Sequence, residues 1–237
     1  MTAKKKSTPT FFDHLDELRI CILKALGLFA VVCLVFFNFA GHFIPVFVKP
    51  VGYLVFNSPS EAFMAHMAVT IAGSFIITFP FTLYQLWAFV ATGLTEQERK
   101  HIRLYGPISF LLFVAGLCFA FFVAIPIALK FLMGFSSEYL RPMITVESYI
   151  SFVTSFALAF GVIFETPLVL AFLASVGIAT PAFLIQKRRH AIIIILIISA
   201  ILTPPDVISQ IVMAVPLFVL YEIGIILTRL TYKKKFD

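Results

Sequence analysis

The sequence predicts an all-α integral membrane protein: six transmembrane helices, both termini cytoplasmic, in a curved bundle whose helices five and six are short. Three observations lead there. The first is composition: of 237 residues, 61% are hydrophobic and 13% charged, and 29 are Phe. A soluble domain carries about 25% charged residues to wet its surface, so this deficit means that hydrocarbon covers most of the outside. The second is a series of charge-poor stretches long enough to cross a bilayer, at about 22–41, 67–91, 104–130, 148–175, 189–203 and 207–227. The third is charge asymmetry. Of the 18 Lys and Arg, the N-terminal segment, the loops near Arg99 and Arg188 and the C-terminal tail hold 15, and only Lys49, Lys130 and Arg141 fall on the other side. Positive charge stays cytoplasmic, so an even number of spans with these counts puts both termini inside.

Lys4, Lys5 and Lys6 precede no short apolar run with a small-residue cleavage site, so no removable leader is read and the first apolar segment is expected to stay. Thr10 to Leu26 reads as an amphipathic helix before the first span, with Phe11, Leu15, Leu18 and Ile22 on one stripe and a Thr10/Asp13 capping box. Its other face carries Asp13, Asp16 and Glu17. A cytoplasmic membrane surface attracts cations, so an acidic patch there is out of place unless it meets a basic partner. The alternative is a solvated helix face with Asp16 paired to Arg19. The turn between spans two and three, Leu94-Thr95-Glu96-Gln97-Glu98-Arg99-Lys100, repeats the pattern. Here too Glu98 has a structural reading, as the capping-box partner of Thr95. Two acidic elements on one face nevertheless favour a guanidinium ligand, which carboxylates bind bidentately.

Proline punctuates the spans at Pro80, Pro126, Pro167 and Pro216, where bends are expected because each removes a backbone donor. The fourth span ends near Gly177, in Gly177-Ile178-Ala179-Thr180-Pro181. The 13 apolar residues of 191–203 extend only about 20 Å against about 30 Å of hydrocarbon, so helices five and six should thin the bilayer or draw Arg188, Arg189 and water inward. No internal repeat is visible, and the whole chain, 1–237, reads as a single polytopic membrane domain.

Glu165 lies deep in the fourth span, where a charge costs about 3 kcal/mol. It calls for protonation, or for hydrogen bonds to Thr166, Gln85 or water, facing the bundle interior. Glu222 reaches the interface and has a structural reading; Gln210 can bond a neighbouring helix or a partner; Asp206 can cap the sixth helix. Cys21, Cys33 and Cys118 read as small apolar fillers, with no CxxC. His14, His42, His66, His101 and His190 show no ligand spacing, so no metal is expected. The triplet Gly134-Phe135-Ser136 lacks a companion histidine, and neither a catalytic constellation nor a cofactor is expected.

The ordered set His14-Leu15-Asp16-Glu17-Leu18-Arg19, Phe79-Pro80 through Trp87-Ala88-Phe89, Glu98-Arg99, Ser151-Phe152, Phe160-Gly161, Phe164-Glu165-Thr166-Pro167, Thr203-Pro204-Pro205-Asp206 and Tyr221-Glu222-Ile223-Gly224 resembles the C subunit of twin-arginine translocases, the TatC family, over about 11–229. The resemblance implies a non-enzymatic receptor in a bacterial inner membrane. Its implied ligands are the twin-arginine signal peptides of folded cargo. Small single-span TatA- and TatB-type subunits, further copies of the chain and the lipid bilayer are its implied partners; nucleic acid is not. The proton motive force would drive export. Carried over residue by residue, Glu17 and Glu98 look like the carboxylates that receive the arginines, with Arg19 beside them. Pro50, Phe89 and Asp206 look functionally sensitive, Glu165 looks like a polar group lining the concave face, and Thr203 and Gln210 look like the docking region for partner spans. Thr95 and Gln97 stand where the family usually has Tyr and His, and Thr92 where it usually has Pro. The rival class is a proton-coupled small-solute transporter using Glu165 as relay.

Overall fold

A computed structural model describes residues 11–48, 51–52, 54–94, 96–134, 143–202 and 207–236, and within these the side chains at 11–14, 46, 96–103, 208–209, 212 and 233–236 are outside the description. The helices are α1 (Phe11–Val48), α2 (Pro59–Thr92), α3 (Glu96–Phe119), α4 (Ile125–Met133), α5 (Val146–Ile163), α6 (Thr166–Ser175), α7 (Pro181–Gln186), α8 (Arg188–Leu202) and α9 (Val207–Phe236). A π-turn, Ala120–Ala124, joins α3 to α4.

Among the described residues, five stretches are long and apolar enough to cross a membrane: Leu15–Pro45, Pro59–Thr92, Leu104–Met133, Val146–Ser175 and Met213–Tyr232. Helix α8 has 15 residues, a rise of about 22 Å, which bears out the shortness expected of helix five. Helix six is not short, because α9 continues past Glu222, whose charge Arg188 meets, and runs 30 residues from Val207 to Phe236. The surface is inverted relative to a soluble protein, with Leu34, Phe122 and Ile201 each more than three-quarters exposed. Lipid is the only solvent in which such a surface is stable.

Two local expectations change. The amphipathic segment at 10–26 is no separate helix: α1 continues from Phe11 to Val48 without a break, since nothing in Ala25-Leu26-Gly27-Leu28 stops a helix that already has an apolar face. The prolines also divide into two kinds. Helices α2 and α9 run uninterrupted past Pro80 and Pro216, whereas the chain breaks its α-helical ladder just before Pro126 and Pro167. The ladder is lost on the turn preceding each of these two rings, where the missing donor and the ring clash fall.

Packing follows the chain: α1 rests on α2, α2 and α3 both pack on α5, and α6 packs on α9, which also carries α7 and α8. One core cluster centres on Ile150, Phe156 and Phe160 of α5. A second joins Phe79, Leu83 and Trp87 of α2 to Tyr105 and Phe113 of α3 and Leu168 of α6. After α6, Gly177 takes φ +82 and the Ile178 N–H turns back to the Leu173 carbonyl at 2.9 Å. That left-handed turn suits glycine, and it lets Thr180 cap α7, a short helix that periodicity did not reveal. At the opposite end, the Val55 and Val146 amides bond the Ile144 and Val55 carbonyls, clasping the α1–α2 and α4–α5 connections together.

Glu222 accepts from Arg188 Nη2 at 2.7 Å, which gives it the structural role expected of it. Both side chains stay partly exposed, at 29% and 42%, so the pair is screened and contributes under about 1 kcal/mol. Glu222→Gln is therefore expected to move the thermal unfolding midpoint in detergent by only a degree or two, a shift that circular dichroism on heating would measure.

Candidate functional site: a carboxylate groove and a buried glutamate

Glu17 projects from α1 toward the end of α2. Its Oε2 lies 2.9 Å from the Thr92 hydroxyl, which also lies 2.7 Å from the Phe89 carbonyl, so Thr92 donates to one or the other. Around this contact α1 and α2 form a groove of about 480 Å³, with Glu17, Cys21 and Lys24 on one wall and Tyr84, Gln85, Phe89 and Thr92 on the other. The helical repeat produces it: positions 17, 20, 21 and 24 share one face of α1, as 81, 84, 85, 88 and 92 share one of α2.

A groove with an acid at its mouth and aromatic walls can hold a cation carried on an apolar backbone, by carboxylate pairing and by contact with the ring faces. Of the within-helix alternative for the acidic face, the solvent exposure is present and the Asp16–Arg19 pairing is not. Asp16 and Arg19 are both exposed and form no ion pair with each other.

Glu98 lies on the first turn of α3, six residues after Thr92, so the backbone brings it to the same end of the bundle as Glu17. Its side chain is outside the described residues, as are Thr95, Pro50, Thr203 and Asp206 altogether. Phe89 is half-buried and lines the groove. Gln210 donates from Nε2 to the Leu196 carbonyl at 3.0 Å, tying α9 to α8. Cys21, a free and half-buried cysteine, forms part of the groove wall.

Glu165 occupies the α5–α6 break and is 6% exposed. Its partner differs from those expected. Ser109, fully buried on α3, donates to Glu165 Oε2 at 2.6 Å, and Trp87 Nε1 of α2 donates to Ser109 Oγ at 2.9 Å. Gln85 lines the groove instead. The Trp87 ring is held edge-on by Tyr105 at 5.1 Å and Phe172 at 5.3 Å, which aims its N–H at Ser109. Glu165 Oε1 has no hydrogen-bond partner among the described residues. Three helices are thus stitched by one polar chain in an apolar surround.

Sequence reasoning missed Ser109 and Thr92 as partners of these glutamates. Thr92 carried a signal, its departure from the family's proline; Ser109, one small hydroxyl in an apolar span, carried none.

Long helices with an apolar outer surface, a groove between two of them at one rim and, among the described residues, one buried carboxyl define a polytopic membrane protein. Comparison with known proteins agrees. The family model "Sec-independent protein translocase protein (TatC)" matches residues 13–216. The chain is 39% identical to the TatC of Carboxydothermus hydrogenoformans over 233 residues, 96% of each chain. It is 36% identical to TatCy of Bacillus subtilis, over 99% of this chain and 94% of that one. A crystal structure described as a twin arginine translocase receptor, TatC, superposes with a TM-score of 0.85 at 37% identity, covering 92% of this chain and 99% of that one. The chain belongs to the TatC family and is a core subunit of the twin-arginine, Sec-independent protein translocase. The solute-transporter reading falls with that membership.

Proposed function

We propose that this chain is the receptor that reads twin-arginine signal peptides, with Glu17 and Glu98 taking the paired guanidinium groups and Arg19 beside them. The observation that supports the reading is Glu17 lining the α1–α2 groove, its carboxylate 2.9 Å from the Thr92 hydroxyl, on an otherwise basic face. The groove's aromatic wall at Tyr84 and Phe89 accommodates the apolar residues of such a peptide, and this gives a reason for the functional sensitivity of Phe89.

In this reading α8 is the fifth of six crossings and α9 the sixth, both termini are cytoplasmic, and the membrane is a bacterial inner membrane whose proton motive force drives export. The protein acts by binding and assembly, with further copies of itself and small single-span subunits; α8 and α9, with Thr203 and Gln210, supply the docking surface. Pro50 and Asp206 shape the outer connections.

The test is binding of a fluorescent twin-arginine peptide to the purified protein. Each of Glu17→Gln and Glu98→Gln is expected to weaken binding by about ten- to a hundred-fold, the worth of one charge-assisted contact. A Lys-Lys peptide, which cannot bind bidentately, should bind at least ten-fold more weakly than Arg-Arg. Unchanged affinity in the double variant, or equal binding of the two peptides, would remove the assignment.

A further inference from the structure

Toward the other end of the α1–α2 pair lies a second cavity, of about 770 Å³, between α1, α2, α4 and α5. Its wall is almost all carbon, with Phe36, Ile77, Phe122 and Val153 contributed by successive elements. The two hydroxyl side chains on it are already satisfied, Tyr149 by the Phe47 carbonyl at 2.8 Å and Thr154 by the Ile150 carbonyl at 2.7 Å. Apart from Lys130 at one end, a space lined this way offers few anchors for water, so hydrocarbon is its natural occupant. It opens to the bilayer, since Phe122 and Ile77 at its rim are 79% and 54% exposed.

Among the described residues Lys130 is the one charged side chain on the wall, exposed and in no ion pair with another of them. From Phe121 to Lys130 the wall rises about 14 Å, close to the roughly 15 Å of hydrocarbon in one leaflet. An apolar slot one leaflet deep with a cation at its interfacial end has the shape and charge of an amphiphile's complement.

We propose that this cavity binds an anionic phospholipid, with an acyl chain along the wall and the phosphate on the Lys130 ammonium. The site is separate from the groove at Glu17 and does not depend on peptide recognition there.

The experiment is native mass spectrometry of the full-length protein in detergent with equimolar phosphatidylglycerol and phosphatidylcholine of identical chains. The parent should retain phosphatidylglycerol about five-fold better, the worth of one cation near an anionic headgroup. Lys130→Gln should bring the ratio near parity and Lys130→Arg should restore it. Ile77→Trp, which narrows the mouth, should lower retention of both lipids and leave the ratio unchanged. Both positions are exposed, and thermal midpoints confirm that the variants are folded. Parity in the parent, an undiminished preference in Lys130→Gln, or displacement of the lipid by glycerol phosphate would each overturn the proposal. So would occupation of the cavity by the apolar segment of an added peptide with no lipid retained.

Discussion

Gly116→Ala is expected to destabilise the bundle by about 3 kcal/mol or more, at or beyond the upper end for an overpacked core. A Cβ built there lies 2.5 Å from the Phe160 carbonyl oxygen and 3.0 Å from Gly161 Cα. Both are backbone atoms of α5, so relief requires the two helices to separate. Separation is costly because Phe156 and Phe160, fully buried in the same interface, lose contacts along their length. Gly161→Ala meets Phe113 instead, at 2.5 Å. Phe113 is itself boxed in, 1% exposed and 4.1 Å from Phe79 between ring centroids, so this variant should also lose stability, by somewhat less because a side chain can tilt. Gly27→Ala is the control: exposed on α1 with nothing within 4 Å, it should be neutral or stabilised by up to about 1 kcal/mol. Thermal unfolding of the purified variants would order them. If Gly116→Ala melted within a degree of the parent, the closeness of α3 to α5 would be wrong.

These glycines show what the sequence makes legible. Hydropathy is a local property summed over a window, so the apolar stretches, the shortness of α8 and the lipid-facing surface could be read without knowing who touches whom. The same holds for Glu17, whose oddity is an acid on a basic face. Contacts at long separation are a different kind of fact. Ser109 and Glu165 are 56 residues apart and Trp87 and Ser109 are 22; no periodicity points from one to the other, and the expected partner Gln85 faces the groove. The continuous α1 was missed because amphipathic and apolar helix signals look like two elements when nothing marks their junction. The break before Pro167 and the continuity past Pro80 were indistinguishable in sequence, because neighbouring packing decides which proline a helix absorbs.

Glu165→Ala is expected to abolish export while leaving peptide affinity within about two-fold of the parent, because the Trp87–Ser109–Glu165 chain and the Glu17 groove use different faces of α2. The stability consequences separate the roles of the three groups. Ser109→Ala leaves the Trp87 N–H and the Glu165 carboxyl both without this partner in an apolar surround, and should cost about 2–5 kcal/mol. Glu165→Gln keeps an oxygen that can accept from Ser109 and is nearly the same shape, so it should unfold within a few degrees of the parent. Export by Glu165→Gln then decides what the carboxyl does. Retained export would mean that the group serves as a hydrogen-bond acceptor holding α3 against the α5–α6 break; lost export with intact folding and peptide binding would mean that its titratable proton is needed for transport. Normal export by Glu165→Ala would remove Glu165 from the transport mechanism altogether, and its burial among Trp87, Ser109 and Leu168 would then be a matter of packing alone.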